Sequence, residues 1–343
     1  MTTQSAPPAP NAPFGSVFAS TMAVADWAEG EWSAVKLGPV EPLSMHPATH
    51  VLHYGSACFE GLKAHRGVDG GVRIFRLDTH VQRMQRSAEI LMLPPPPTDM
   101  LTEMIIDVVR ACLAEVPASP GSLYLRPTLV GTVPNIGAAA VPSSSALLYV
   151  LASPVGDYFA GGIRPLKLMI ETEQPRTTPQ FGMVKSGANY VMALGPTMRA
   201  KQELGADQVL FAPEGLIQET GAANFLMVDG ERIITPALSE AFLHGVTRDS
   251  VLELGADLGY IVERHTSLTV AELLEWSQRA DAEAALSGTA AVLAAVGSLV
   301  VDGEDMVVGS GEVGSHTMRL REALTAVHTG EAEDRHGWLT TVE

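Results

Sequence analysis

Residues 177–198 read TTPQFGMVKSGANYVMALGPTM, and Lys185 is the one charged side chain in this stretch. Burial disfavours the ammonium form of a lysine, and the neutral amine is a nucleophile that forms Schiff bases with carbonyl groups. The alternative is a lysine whose amine reaches solvent, and composition alone favours that alternative. The rest of the sequence has to decide between these two roles.

Composition limits the class of protein. The chain has 343 residues, of which 46% are hydrophobic and 18% are charged, so it can form two globular domains of ordinary size. Acidic side chains outnumber basic ones by 39 to 22, which gives a formal charge of −17. Because no basic run is present, nucleic acid is not an expected partner.

Three features bear on cellular location. Cys58 and Cys112 lie far apart and lack the spacing of metal ligands, which favours a reducing compartment and a cytoplasmic location. Residues 1–13 resemble a short disordered tail rather than a signal peptide. Residues 284–301 carry no charge, but their small residues and turn-like SGT and GS favour a buried strand, turn and helix over a membrane span.

The N-terminal part of the chain predicts an α/β domain over residues 14–153. Strands are expected at 70–77 (GGVRIFRL), 122–131 (SLYLRPTLVG) and 145–155 (SALLYVLASPV). A helix over 78–93, capped by Asp78 or Thr79, would place Val81, Met84, Ala88 and Leu91 on one face, and a second helix is expected over 100–114. The Gly- and Pro-rich residues 154–165 predict a linker.

The remaining residues, 166–343, predict a second α/β domain. Strands are expected at 206–212, 215–220 and 224–236, the last with a hairpin turn at Asp229 and Gly230. Residues 247–260 predict a helix capped by Thr247, with Val251, Leu254 and Leu258 on one face. The fold class is therefore mixed α/β, in two domains.

Several residues of the second domain suit one particular cofactor. A pyridoxal phosphate site needs an amine, a carboxylate for the pyridine nitrogen, a polar group near the phenolic oxygen, and ligands for the phosphate. Glu219 lies in GLIQETGAANFLMV, where small residues allow a flat ring to approach. Thr247 of GVTRD and Thr289 of SGTAA lie at expected helix starts, which favour a phosphate dianion.

The motifs in their order resemble a known family. They are HYGSACFEGLKAHR, HVQRM, YLRPTLVG, SPVGDYFAGG, VKSGANY, IQETGAANFL, GVTRD, SGTAA and TGEAEDRHGW, and they extend from about residue 14 to residue 338. Together they resemble the class IV pyridoxal-phosphate aminotransferases, and among these the branched-chain amino acid aminotransferases. The resemblance implies a two-domain enzyme of fold type IV with pyridoxal 5'-phosphate at the domain interface. It also implies a homodimer, in which residues 131–137 (GTVPNIG) of the partner help to close the pocket.

The resemblance assigns the cofactor-binding residues one by one. Lys185 would hold pyridoxal phosphate covalently and move the proton between the substrate α-carbon and the cofactor. Glu219 would pair with the pyridine nitrogen, and Tyr190 would donate to the phenolic oxygen. The remaining cofactor contacts would be phosphate ligands and a leucine packed on the ring, namely Arg83, Val246, Thr247, Thr289 and Leu243.

The resemblance also implies the substrates and the substrate-binding residues. L-Leucine, L-isoleucine or L-valine would pass its amino group to 2-oxoglutarate through pyridoxamine phosphate, reversibly and by a ping-pong mechanism. Tyr124 and Arg126 share one face of a strand and would hold a carboxylate, with Arg126 helping to bind the γ-carboxylate of glutamate. The backbone of Thr289 and Ala290 would assist, and Tyr54, Phe59 and Tyr158, with Gly61 nearby, would form the apolar slot.

Other interpretations remain open on the sequence. One is a different class IV enzyme, such as a D-amino-acid or amine aminotransferase or an aminodeoxychorismate lyase, although YLRP with SPVGDYF favours the branched-chain type. A more remote one is a non-catalytic metabolite-binding protein.

Metal binding and thiol regulation are not expected. Pro47 and the strand expected to follow it would keep His46, His50 and His53 off one helical face, so a metal site is disfavoured. Some animal members of the family carry a CxxC pair where this chain has Ala291 and Ala294, which excludes regulation through that pair.

Overall fold

A computed structural model describes residues 13–157 and 162–343. Within these ranges the chain forms two compact units, one of 13–157, Lys185–Gly187 and Ala326–Glu343, and the other of 162–184 and Ala188–Thr325. The expected tail and the middle of the expected linker lie outside the described residues. The expected second domain of 166–343 differs from this division, because Ala326–Glu343 belong to the first unit.

The first unit contains a nine-stranded antiparallel sheet within the described part of the chain. Its strands are β1 (Thr21–Ala28), β2 (Glu31–Trp32), β3 (Lys36–Pro39), β4 (Ala57–Phe59), β5 (Leu62–Arg66), β6 (Val72–Phe75), β7 (Ser122–Gly131), β8 (Ser145–Val155) and β17 (Leu339–Val342). The order is β17-β6-β5-β7-β8-β1-β2, with β3 on β1 and β4 on β7. The pairing of β17 with β6 explains why the C-terminal residues belong here.

Among the described residues, three α-helices accompany this sheet: α1 (His50–Tyr54), α2 (Leu77–Ile90) and α3 (Thr98–Ala111). The predicted face of α2 is confirmed, since Val81, Met84 and Ala88 are buried in the core and Leu91 packs against it. The predicted cap is wrong, because α2 begins after Arg76 and neither Asp78 nor Thr79 caps it. The strands predicted at 122–131 and 145–155 are confirmed as β7 and β8.

The second unit contains an eight-stranded mixed sheet in the described residues. Its strands are β9 (Leu166–Glu171), β10 (Gln208–Phe211), β11 (Asn224–Val228), β12 (Arg232–Pro236), β13 (Ile261–His265), β14 (Glu283–Gly288), β15 (Val292–Val301) and β16 (Glu304–Val307). The order is β10-β9-β15-β14-β11-β12-β13, with β16 on β15, and the parallel pairs are β10 with β9, β9 with β15, and β12 with β13. The predicted hairpin at Asp229 is confirmed, because its carboxylate accepts from the backbone of Glu231 and Arg232.

The helices of the second unit are α4 (Gly187–Leu204), α5 (Val246–Asp257), α6 (Val270–Ser277) and α7 (Ser315–Thr329), although the first residue of α4 and the last residues of α7 belong to the first unit. The cap predicted for α5 is wrong, because Gly245 rather than Thr247 precedes its first turn.

Two further predictions fail in the second unit. Residues 215–220 form isolated bridges instead of a strand. Residues 284–301 form two strands and a turn, without the helix expected there. In the described parts of the chain, no helix is long and apolar enough to cross a bilayer.

Candidate active site

Lys185 is held by its backbone in the first unit. Its N–H donates to Ser87 Oγ at 3.1 Å, and its carbonyl accepts from the N–H of Phe59 at 3.0 Å. The side chain is half-buried, and Nζ lies 5.2 Å from the centroid of the Phe59 ring. The amine is therefore presented beside an aromatic face, and it is less deeply buried than the sequence suggested.

Arg83, the predicted phosphate ligand, lies in a buried ion pair. Its Nε and Nη2 donate to the two carboxylate oxygens of Glu60, at 2.7 and 2.9 Å. His80 Nδ1 lies 2.7 Å from the second of these oxygens. Burial by itself would raise the pKa of Glu60, but Arg83 and His80 together hold it well below its ordinary value.

Arg83 is the main charged partner of Glu60. Burial lowers the pKa of His80 despite the adjacent carboxylate, with Arg83 and Lys185 adding to the effect, so His80 is neutral near pH 7 and donates from Nδ1. The arrangement fixes the guanidinium of Arg83 in one orientation on α2.

Phe59, Tyr124 and Arg126 line one pocket of about 410 Å³ in the first unit. Alternation along β7 puts Tyr124, Arg126 and Thr128 on the pocket face, and the paired residues of β8 complete its floor. The pocket is lined by Phe14, Gly15, Phe18, Phe59, Tyr124, Arg126, Thr128, Tyr149, Leu151, Ala152 and Ser153. It therefore combines aromatic and aliphatic walls with one cation.

Arg126 is oriented by aromatic contacts. Its guanidinium carbon lies 4.5 Å from the centroid of the Phe59 ring, and Nη2 donates to Tyr124 Oη at 2.8 Å. Nε is buried and has no hydrogen-bond partner within the described chain. The guanidinium is the cation among the residues that line the pocket, so it suits an anionic ligand entering there.

The other predicted substrate residues of this unit are placed differently. Tyr54 does not line the pocket; it lies on α1, and its hydroxyl donates to the carbonyl of Ile136 at 2.5 Å. Gly61 packs against Tyr124, since a Cβ there would lie 2.1 Å from Tyr124 Oη. Tyr158 lies outside the described residues.

Glu219 forms the centre of a buried polar cluster in the second unit. Its Oε1 accepts from Arg176 Nη1 at 2.6 Å and from the N–H of Leu243 at 3.0 Å. Its Oε2 accepts from Asn224 Nδ2 at 3.1 Å. Glu219 is 2% exposed, so these donors stabilise an ionised carboxylate that water hardly reaches.

The other residues predicted for the cofactor in this unit lie on neighbouring elements. Leu243 leads into the start of α5, where Val246 and Thr247 are buried and no side chain caps the first turn. Thr289 and Ala290 are half-buried in the turn between β14 and β15.

Tyr190 lies on the first turn of α4, and the guanidinium of Arg176 lies 5.5 Å from its ring centroid. Arg176 therefore contacts both Glu219 and Tyr190.

Four side chains of these clusters were not predicted: Glu60, His80, Arg176 and Asn224. Glu60 stands alone as a charge in the stretch YGSACFEGL, which is the signal that could have identified it. The sequence around Arg176 and Asn224 contains no comparable signal. Their partners, Glu219 and Leu243, come close to them only in the folded chain.

The histidines near α1 make local hydrogen bonds. His50 and His53 lie on α1, so the strand expected after His46 is wrong. His50 Nδ1 is 2.8 Å from Ser56 Oγ, and His53 Nε2 is 2.9 Å from the carbonyl of Pro47. Over residues 13–157 and 162–343, no group of histidine, cysteine or carboxylate side chains is arranged to hold a metal.

The donors of each unit suit pyridoxal 5'-phosphate. The second unit has a buried carboxylate at Glu219 that can accept from a pyridinium N–H, and a helix start at Val246 whose amides face no side-chain cap. The first unit has an amine at Lys185. Amides at a helix N-terminus bind phosphate, because they are unsatisfied donors at the positive end of the helix dipole.

Comparison with known proteins agrees with this chemistry. The model of the amino-transferase class IV family matches residues 57–299. A probable branched-chain-amino-acid aminotransferase of Streptomyces coelicolor is 37% identical, over 97% of this chain and 93% of its own. Branched-chain-amino-acid transaminase 1 of Bacillus subtilis is 35% identical, over 96% of this chain and 94% of its own.

Solved structures give the same result. The T.th. branched-chain amino acid aminotransferase with pyridoxamine 5'-phosphate has a TM-score of 0.76 and 30% identity, covering 95% of this chain and all of the other. The Escherichia coli enzyme has a TM-score of 0.74 and 29% identity, over 93% and 99% of the two chains. The chain therefore belongs to the class IV aminotransferase family, in its branched-chain-amino-acid aminotransferase group.

Proposed function

We propose that the protein is a pyridoxal-phosphate-dependent aminotransferase that moves the amino group of L-leucine, L-isoleucine or L-valine to 2-oxoglutarate, reversibly and by a ping-pong mechanism. The observation that carries this proposal is the pocket of about 410 Å³ in which Arg126 lies against Phe59 and Tyr124. Apolar walls suit a branched side chain, and the single cation suits the second carboxylate of glutamate.

The cofactor would be bound by the residues that the family resemblance assigns to it. Glu219 would accept a hydrogen bond from the pyridinium nitrogen, and Tyr190 would donate to the phenolic oxygen. Leu243 would pack on the ring. The phosphate would be bound by the backbone of Val246 and by the remaining predicted ligands, Thr247, Thr289 and Arg83. When bound, pyridoxal phosphate supplies an electron sink for the charge that develops on the substrate α-carbon.

The ion pairs described above support these roles. Arg176 pairs with Glu219 by donating to Oε1, and an ionised carboxylate favours a protonated ring nitrogen. Glu60 neutralises part of the charge of Arg83 while fixing its orientation, so the guanidinium is preorganised for a ligand. Glu219 and Arg83 are thus each held by a buried ion-pair partner.

Lys185 would carry the proton. Its amine would bind the cofactor between turnovers and, once released, remove the proton from the substrate α-carbon and return it to the cofactor. Its backbone is fixed at Ser87 and Phe59, and its side chain is half-buried. A primary amine on a fixed backbone suits transfer between two carbon atoms.

The pocket would accept several substrates. Apolar walls discriminate by only about 1–3 kcal/mol per methylene, so the three branched amino acids should all react. With glutamate bound, Arg126 would pair with the γ-carboxylate, and Tyr124 would orient Arg126 through its hydroxyl. The backbone of Thr289 and Ala290 would hold the α-carboxylate common to all substrates.

We also propose a homodimer. Tyr54 donates to Ile136 within the segment 131–137 that the family resemblance places in the partner's pocket. We therefore assign Tyr54, together with this segment, to the pocket of the partner subunit. Exposed apolar side chains on α4, namely Val191, Met192, Leu194 and Met198, suit burial against a second copy. Light scattering on the purified protein should give twice the chain mass.

A cytoplasmic location is also proposed. Cys58 and Cys112 are both free and buried, and burial raises the pKa of Cys58 to about 12. Free thiols are typical of reducing compartments.

The function is tested by following 2-oxo acid formation from each branched L-amino acid with 2-oxoglutarate as acceptor. D-Leucine and D-alanine serve as stereochemical controls. Turnover of the L-amino acids alone supports the proposal. Turnover of D-alanine with L-leucine inert would instead indicate a D-amino-acid aminotransferase of the same family.

A further inference from the structure

Asn224 connects two parts of the proposed cofactor site. Its Nδ2 donates to Glu219 Oε2 at 3.1 Å and to the carbonyl of Leu243 at 2.8 Å. The side chain is buried, and both its acceptors are proposed cofactor contacts. One amide group therefore bridges the carboxylate for the ring nitrogen and the turn that precedes α5.

The turn is packed directly on this amide. A Cβ added to Gly245 would lie 1.9 Å from Asn224 Oδ1, so the backbone at Gly245 reaches a distance that any other residue would prevent. Gly245 immediately precedes the first turn of α5, where Val246 and Thr247 lie. Asn224 is therefore in contact with the start of the proposed phosphate site.

Glu219 and Asn224 are themselves fixed by a tight connection. They form an isolated antiparallel bridge, closed by the N–H of Thr220 donating to the carbonyl of Ala223 at 2.9 Å. Thr220 Oγ1 also accepts from the N–H of Ala223 at 3.1 Å. Since Asn224 begins β11, the central strands of the sheet hold the bridge in place.

We infer that Asn224 is a positioning residue that sets the distance between Glu219 and the N-terminus of α5, so that one cofactor molecule engages both. The pyridine nitrogen and the phosphate lie at separate places on one small molecule with a short connecting arm, and both contacts form together only when the protein holds its two groups at a separation that this arm can span. Two linked contacts then reinforce each other, because the second forms without a further loss of translational freedom. This inference rests on the proposed function.

The test compares ligands that carry both groups or only one. The full-length protein is freed of cofactor, and its affinity is measured for pyridoxamine 5'-phosphate, for pyridoxamine and for inorganic phosphate. These probes lack the aldehyde, so the amine of Lys185 does not contribute a covalent bond. In Asn224→Ala we expect about tenfold or greater weakening for pyridoxamine 5'-phosphate and less than about threefold for either single-group ligand.

A second variant keeps the side-chain size. Asn224→Asp cannot donate to Glu219 and repels it, so it should show the same selective loss even if Asn224→Ala folds poorly. Gln278→Ala removes an exposed amide side chain and should leave all three affinities unchanged.

The outcomes separate the two proposals. Unchanged affinity for pyridoxamine 5'-phosphate in both Asn224 variants, or equal weakening of all three ligands, would overturn the role of Asn224. Failure of the unmodified protein to bind pyridoxamine 5'-phosphate would instead overturn the proposed cofactor.

Discussion

Arg126 donates from Nη2 to Tyr124 Oη at 2.8 Å, and its guanidinium is stacked on Phe59 with the carbon 4.5 Å from the ring centroid. These contacts hold the cation in an otherwise largely apolar pocket and leave the buried Nε without a hydrogen-bond partner among the described residues. A carboxylate entering the pocket would pair with the guanidinium, the cation among the lining residues. Under the proposed function, one pocket would therefore accept both a branched side chain and glutamate.

Replacing Arg126 by methionine should separate the two substrates. The variant keeps an apolar side chain of similar length, so KM for L-leucine should change less than about threefold. KM for 2-oxoglutarate should rise about 10–100-fold, because a charge-assisted hydrogen-bonded pair is lost. Steady-state kinetics with each substrate varied in turn measures both values. Arg199→Met, on an exposed face of α4, is the control, and an equal rise of both KM values would refute the assignment.

Glu60→Gln should destabilise the protein. The substitution keeps the shape of the side chain but leaves the buried Arg83 without its anionic partner, a change that costs about 3–5 kcal/mol. The melting temperature at pH 7 should fall by about 5–10 °C. The exposed Glu103→Gln should melt like the unmodified protein, and a Glu60→Gln variant that did the same would show that the ion pair contributes little.

The ion pair of Glu60 with Arg83 also predicts that the stability of the protein falls in acid. The pKa of Glu60 is lower in the folded state than its ordinary 4.5, so the unfolded chain binds the additional proton. The stabilisation is therefore complete above about pH 4.5 and is lost as the pH falls below it. Melting curves between pH 3 and pH 6 should be less steeply pH-dependent in Glu60→Gln, and parallel curves would contradict this origin.

His65 predicts a second loss of stability on acidification, which begins at a higher pH than the loss caused by Glu60. Its ring is stacked on His328 with centroids 4.4 Å apart. Burial, followed by the charges of His328 and Lys63, holds the pKa of His65 well below 6.5. The folded state binds this proton less readily than the unfolded chain, so stability should fall as the pH drops below about 6.5. Melting temperatures from pH 7.5 to 5.5 should show the decline.

His65→Phe keeps an aromatic ring and removes the titrating group. Its melting temperature should vary less over the same pH range, whereas the exposed His46→Gln should retain the full dependence. An undiminished decline in His65→Phe would assign the effect to another group.

The spacing of hydrophobic residues along the chain correctly predicted strands β7 and β8 and the buried face of helix α2. The bounds of β7 and β8 match the predicted strands at both ends, and Val81, Met84 and Ala88 lie on the buried face of α2 as expected. Such patterns depend on residues close together in the chain, and burial of one face enforces them.

Long-range contacts account for what the sequence did not predict. β17 pairs with β6, although the two strands lie far apart in the chain. The C-terminal residues therefore belong to the first unit and not to the second domain that was predicted. Arg83 was placed correctly on a helix, but its partner Glu60 comes from the loop between β4 and β5. Similarly, Arg176 and Asn224 acquire a role only through Glu219, which the second sheet brings to them.

Lys185→Ala should abolish transamination without unfolding the protein. Removing the proton-transfer group alone is expected to cost at least about 10²–10⁴-fold in kcat, and loss of the covalent link to the cofactor adds to this. Circular dichroism confirms the fold, and Lys201→Ala, an exposed lysine on α4, should retain full activity. Appreciable turnover by Lys185→Ala would be inconsistent with the mechanism.

The proposed transamination is tested by the visible absorption spectrum of the purified protein reconstituted with pyridoxal phosphate. L-Leucine is added first, and 2-oxoglutarate is added after the excess leucine has been removed. We expect a yellow band that bleaches with leucine and returns with 2-oxoglutarate, in a protein with Lys185 intact. A band that does not respond to L-leucine, or no band at all, would refute the proposed function.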